Sequence, residues 1–228
     1  MGLRKEQIEI DKDWAKEVWE KIRNNIEIGS DRFVVHYAEN LFELLVAIIL
    51  SQNTNDKNSI KAFMKLKKHG LLPEKILAMD TGELEKLIRV AGLYKQKAKT
   101  IRMLAEEIMN GFDLREIVSG SVEEAKKRLM KIRGLGKKTI DVFLAINGKK
   151  IMGIDTHAKR IALRWGISKS NSYDDIQKAY MQLFGFIDDL DTFHKYLIEL
   201  GRKYCRARNP KCDSCPISEL CPKIGIEK

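Results

Sequence analysis

Cysteine is absent from the first 204 residues of this 228-residue chain, proline occurs once before residue 210, and no apolar run exceeds the seven residues from Leu44 to Leu50. Each scarcity excludes something. A run of that length falls far short of the roughly 20 apolar residues that a membrane-crossing helix needs. Met1 to Ile10 carries charges on both sides of its apolar residues, which does not fit a secretory leader. The expectation is a soluble, intracellular protein. No stretch alternates apolar and polar residues long enough to build a sheet, and no low-complexity linker divides the chain, so a two-lobed arrangement would have to share helices across a cleft. Acidic residues are also in deficit, 32 against 42 basic ones, for a formal charge of +10. Such a surplus attracts polyanions through counterion release, and nucleic acid is the expected partner. A surface rich in Lys–Glu ion pairs, of the thermophile kind, explains part of the same charge.

What the sequence does have is helical periodicity. Trp14, Val18, Ile22 and Ile26 recur at four-residue steps; Leu41, Leu44, Leu45, Ile48 and Ile49 trace a second apolar stripe, with others at Ile60, Phe63, Met64 and at Ile101, Leu104, Ala105, Ile108. Helix boundaries are written beside them. Thr81 with Leu84 and Glu85 opens a short helix, Gly92 closes it, Gly111 ends the next, and Ser121 followed by Glu124 is a capping-box pattern. The body is therefore expected to be all-α. Three of the four prolines lie in the final segment, which reads as irregular.

That segment holds Cys205, Cys212, Cys215 and Cys221, separated by six, two and five residues. Four soft sulfur ligands so close together suit zinc or an iron–sulfur cluster, either of which would staple a tail too short to bury a core. The single close couple with one flanking ligand on each side follows neither the usual paired-couple zinc spacing nor the ferredoxin runs, so spacing alone leaves the metal open.

A second unusual stretch is Ile132-Arg133-Gly134-Leu135-Gly136-Lys137-Lys138-Thr139, set between two helical patterns. Two glycines flanking one leucine make a tight helix–hairpin–helix turn in which Leu135 plugs the core and the glycines let backbone approach a ligand. Amides at the start of the next helix then point outward unpaired at the positive end of its dipole, a seat for phosphate. The plainer reading is a helix–helix connection with a glycine C-cap, which Lys137 and Lys138 beside it disfavour.

The hairpin, Ile154-Asp155-Thr156-His157 after it, and the four-cysteine tail resemble, in that order, the helix–hairpin–helix DNA glycosylases of the endonuclease III family. Leu44 through Asp56 and Val90-Ala91-Gly92-Leu93-Tyr94 to Lys97-Ala98 add to the likeness, which spans about residues 35 to 222. The resemblance implies a [4Fe-4S] cluster on the four cysteines and a two-lobed, all-α fold with DNA bound across the cleft. A six-helix bundle with the hairpin would cover residues 38–150; residues 1–37 and 151–228 would form the cluster lobe.

It implies chemistry too. Lys138 would attack C1′ of a sugar, expel the base as a Schiff base forms, and release the 3′ phosphate by β-elimination, making the chain a bifunctional DNA glycosylase and abasic-site lyase of base excision repair. An ammonium cannot attack, and partial burial in the closed cleft would help to remove its proton. Asp155, which also reads as the N-cap of the helix after it, would stabilise the oxocarbenium-like sugar. Gln52 or Asn53 and Leu93 would fill the gap left by the flipped base. Gly134, Gly136, Lys137 and His157 would contact DNA near the hairpin, His157 either as a structural or a phosphate-contacting residue. Arg206, Arg208 and Lys211 would grip phosphates from the cysteine loop, where Asn209 replaces a lysine common in the family. Oxidised pyrimidines are the expected substrate and a monomer the expected state. Mismatched thymine or uracil, adenine removal, or a DNA-binding module without catalysis are the alternatives.

Overall fold

The computed structural model describes residues 8–29 and 31–226. Among them are twelve α-helices and two short 3-10 turns, with no strand. The chain divides into two compact units, Gly29–Lys149 and a discontinuous one made of Met1–Ile28 with Lys150–Lys228.

The continuous unit is built around α2 (Leu41–Ser51). Its stripe is no stripe at all: every residue from Phe42 to Leu50 is buried, Glu43 included. A helix apolar on all sides must be surrounded. Its neighbours in contact are the 3-10 turn Val34–Tyr37, α3 (Asp56–Lys68), α6 (Tyr94–Met109), α7 (Leu114–Ser119) and α9 (Lys137–Ile146). Glu43 is compensated, receiving Lys67 Nζ at 3.1 Å and the Glu39 amide at 2.9 Å. The short α4 (Pro73–Ala78) and α5 (Thr81–Ile88) pack on α6, and α8 (Val122–Leu129) on α9. Thr81 does begin a helix, but Asp80 caps it, its Oδ1 accepting from the Gly82 amide at 2.7 Å. Ser121 caps α8 through the Glu124 amide. One expected core position differs, and one buried residue is unexpected. Met64 faces out, because α3 buries Ser59, Ala62, Phe63 and Leu66 instead; on α9 the buried set includes Asp141, paired with Lys126 Nζ at 2.9 Å.

The discontinuous unit joins α1 (Lys12–Asn25) to α10 (Thr156–Trp165), α11 (Tyr173–Phe184) and α12 (Leu190–Lys203). The predicted stripe Trp14, Val18, Ile22, Ile26 is buried in full. It meets an aromatic core in which Trp14 stands edge-on to Trp165 with centroids 5.5 Å apart and Phe184 stacks on Phe193 at 4.7 Å. Such pairs add about 0.5–1.5 kcal/mol each beyond the area they bury. Tyr180 is fully buried, its hydroxyl donating to Ala158 O at 2.8 Å, and burial drives its pKa well above the usual phenol value. The cysteine loop is fastened to this core by Ile217, 2% exposed, and by the Trp14 indole N–H, which donates to Leu220 O at 2.9 Å.

Candidate active site and cysteine loop

The hairpin folds as the residues demand. Gly134 has φ +101°, closed to other residues, and a Cβ there would collide with the side chain of Thr100 on α6. Leu135 is buried at 5%. Gly136 is the N-cap of α9, with no side chain to cap it and nothing within 4 Å of where a Cβ would stand. Nine of the twelve helices begin with an Asp, Asn or Ser whose side chain accepts a first-turn amide. The exceptions are α4, which has proline in its first turn, α6 and α9. The first amides of α9 are thus uncapped, beside the exposed Gly136, Lys137 and Lys138. A positive helix end without a side-chain cap favours an anion. The partial burial expected of Lys138 is not supplied by the protein, since the side chain lies on an exposed first-turn position.

Two loops beside these helices hold the expected gap-filling residues. Asn53 follows α2 with φ +49° and Leu93 precedes α6 with φ +47°, both left-handed and neither glycine. For a leucine this costs on the order of 1 kcal/mol, whereas asparagine tolerates it. Leu93 is 52% exposed, so ordinary core packing does not account for it. Gln52 is half-buried and committed: its Nε2 donates to Thr139 Oγ1 at 2.8 Å, which ties the turn to α9. Asn53 is exposed. Behind both loops lies a residue to which the sequence assigns no role of its own. Lys97, 2% exposed, donates from Nζ to Leu50 O and to Ala91 O, each at 2.8 Å. Burial lowers its pKa to about 8. Its signal was a lysine four residues before Ile101, on the apolar face of α6.

In the other unit, Asp155 is the N-cap of α10, its Oδ1 accepting from the Ala158 amide at 2.7 Å. His194 of α12, 5% exposed, brings Nε2 to 3.6 Å from the same oxygen, a neighbour that sequence spacing could not reveal. His157 packs against Gly201, where a Cβ would strike its ring, and its Nδ1 faces the Arg160 guanidinium at 3.0 Å. Burial, ahead of the Asp155 charge, keeps its pKa below the ordinary histidine value, so Nδ1 serves as an acceptor for Arg160. Of the two roles expected for His157, these contacts describe the structural one.

Cys205, Cys212, Cys215 and Cys221 form no disulfide and line one small cavity with Trp165, Leu200, Tyr204 and Ile217 among its other walls. Four thiols lining one cavity suit a polynuclear cluster. Arg164 Nη1 lies 3.3 Å from Cys205 Sγ, and Arg160 Nε donates to Cys205 O at 2.8 Å, so α10 both positions the first ligand and directs an N–H at its sulfur. Burial pushes the Cys215 thiol up to about 11 and raises Cys221 as well; cluster binding must displace these protons. The residues fit the group. Arg206, Arg208 and Lys211 are exposed on the same loop, and Asn209 between them is left-handed at φ +49°.

Set beside known proteins, residues 46–185 match the HhH-GPD superfamily base excision DNA repair protein family, and residues 205–221 match the iron-sulfur binding domain of endonuclease III. The chain is 35% identical to the Endonuclease III of Sulfolobus acidocaldarius over 217 residues, covering 92% of this chain and 96% of that protein. Among solved structures it resembles a non-covalent Endonuclease III–DNA complex, with a TM-score of 0.77 at 27% identity over 94% of this chain and 97% of the other. A trapped Endonuclease III–DNA covalent intermediate gives a TM-score of 0.74, also at 27% identity, over 92% and 96%.

Proposed function

Because the chain belongs to the endonuclease III family of HhH-GPD base excision DNA repair proteins, we propose that it excises oxidised or ring-saturated pyrimidines from DNA through Lys138 and then cleaves the strand. The observation that carries the reading is Lys138, exposed on the first turn of a helix whose N-terminal amides have no cap. The neutral amine forms a bond to C1′ as the C1′–N bond breaks, and the base leaves with that electron pair and takes up a proton. Sugar-ring opening gives the Schiff base. Loss of a proton from C2′ then expels the 3′ phosphate by β-elimination, and water hydrolyses the imine. Lys138 is exposed in the free protein, and the bound DNA supplies its desolvation.

Asp155, fixed by the Ala158 amide, stabilises positive charge on the sugar. Phosphate sits on the amides that follow Gly136, with Gly134 and Lys137 beside it, while Arg208 and Lys211 hold the backbone from the cysteine loop. His157 supports that arrangement through Arg160. Asn53 and Leu93 enter the space vacated by the flipped base, with Gln52 holding the turn. The [4Fe-4S] cluster on Cys205, Cys212, Cys215 and Cys221 supplies no step of this chemistry; it gives the loop its shape. The protein acts as a monomer, and among the described residues no helix is long and apolar enough to cross a membrane.

The test is borohydride trapping on a duplex with an abasic site. Wild type should form a covalent adduct, and Lys138→Gln should form none while still binding the duplex. Trapping that survives the substitution refutes the assignment. A panel of duplexes carrying thymine glycol, uracil, mismatched thymine or 8-oxoguanine tests the pyrimidine preference: release of thymine glycol should be fastest, and preference for a mismatch would overturn it.

A further inference from the structure

We infer that Lys97 is a positioning residue that locks the Asn53 and Leu93 loops to each other, so that they act on DNA as one unit. The inference rests on the gap-filling role given above to those two side chains. One nitrogen bonds the carbonyl of Leu50, directly ahead of the Ser51-Gln52-Asn53 turn, and the carbonyl of Ala91, directly ahead of Gly92-Leu93, at 2.8 Å in both cases.

Three observations converge there. The two carbonyls lie at the ends of a helix and a 3-10 turn, where helix-terminal oxygens need donors and a positive charge is favourable. Each is followed within three residues by a left-handed non-glycine, Asn53 or Leu93. Strained backbone of this kind persists only where the surroundings over-determine it, and Leu93, half exposed, has few packing contacts to do so. The lysine is also buried to a degree that a surface charge never reaches, and its pKa falls to about 8. A neutral amine has two N–H donors, matching the two carbonyls, so the bridge survives loss of the proton.

The experiment is a double-mutant cycle on affinity for a duplex containing a tetrahydrofuran abasic analogue. Asn53→Ala, Leu93→Ala and the double variant are compared in the native background and again with Lys97→Met. With the loops locked, the double variant should lose less affinity than the product of the two single losses, by a factor of about three to ten. That factor should collapse to near one with Lys97→Met, a change that loss of overall stability alone would not produce. Single losses that simply multiply in the native background overturn the inference even if Lys97→Met fails to fold. A coupling factor unchanged by Lys97→Met overturns it as well. Should neither single variant weaken binding, the gap-filling reading itself has failed, a result distinct from either of those.

Discussion

Raising the pH from 8 to 10.5 should relieve a penalty that Lys97 places on the continuous unit. Its folded-state pKa of about 8 lies below the 10.5 of an unhindered lysine, because a fully buried ammonium with two carbonyl partners is poorly solvated. Below pH 8 both folded and unfolded chains carry the proton and the penalty for burying the charge is fully present. Between pH 8 and 10.5 the unfolded chain holds more protons than the folded one, so stability rises with pH, by up to about 1.4 kcal/mol per unit. Over the whole window the gain is about 3 kcal/mol. Above 10.5 both forms are neutral and the gain is complete.

Lys97→Met removes this term while leaving two carbonyls without a donor, a cost of about 1–3 kcal/mol for each. The quantity to compare is therefore the pH dependence and not the absolute stability. Urea unfolding should be followed by helical circular dichroism at constant ionic strength, at several pH values from 7.5 to about 10.5, for wild type and variant. Tryptophan emission cannot serve, since Trp14, Trp19 and Trp165 all lie in the discontinuous unit. The remaining lysines and tyrosines cancel in the difference between the two proteins. A difference that stays flat across the window would refute the reasoning.

Asp155→Asn should keep the helix cap, because asparagine caps as well as aspartate, yet slow base release on the order of 10²-fold or more in single-turnover assays; Asp155→Ala should in addition lose about 1 kcal/mol in thermal unfolding. Gly134→Ala should destabilise by about 1–3 kcal/mol in urea titration, given its positive φ and the Thr100 side chain in the way. Gly136→Ala, with open space and ordinary φ, should unfold like wild type and weaken DNA binding instead, in a fluorescence-anisotropy titration. Neutralising Arg208 and Lys211 together should reduce the slope of log affinity against log salt by about 2, whereas an unchanged slope would show that the loop faces away from DNA. Iron removal should bleach the visible absorption and shift tryptophan emission, because the Trp14 indole N–H is bonded to Leu220 within the cysteine loop.

Local features of this protein were legible from the chain, and long-range ones were not. Gly134, Leu135 and Gly136 declare their turn because each conformation depends on its own residue and its immediate neighbours. Asp155 and Ser121 declare helix starts for the same reason, each an oxygen three residues ahead of the first-turn amide it accepts from. The all-buried α2 was read as one stripe because periodicity cannot register a helix enclosed on every side. Lys97 depends on a carbonyl 47 residues away, and His194 faces an aspartate 39 positions earlier, separations at which no spacing rule operates. The hydrogen bond from Gln52 to Thr139, which sets Gln52 apart from the exposed Asn53, is displayed only by the folded chain.

The split of one unit into Met1–Ile28 and Lys150–Lys228 carries a consequence for biosynthesis. The continuous unit can collapse as soon as it leaves the ribosome. The first helix cannot: Trp14, Val18 and Ile22 must remain without their partners until α10 to α12 have been translated, a delay on the order of ten seconds at ordinary elongation rates. During that interval a greasy segment is tethered to an already folded neighbour, open to chaperones and to other nascent chains, and iron can be loaded only after Cys221 has been added.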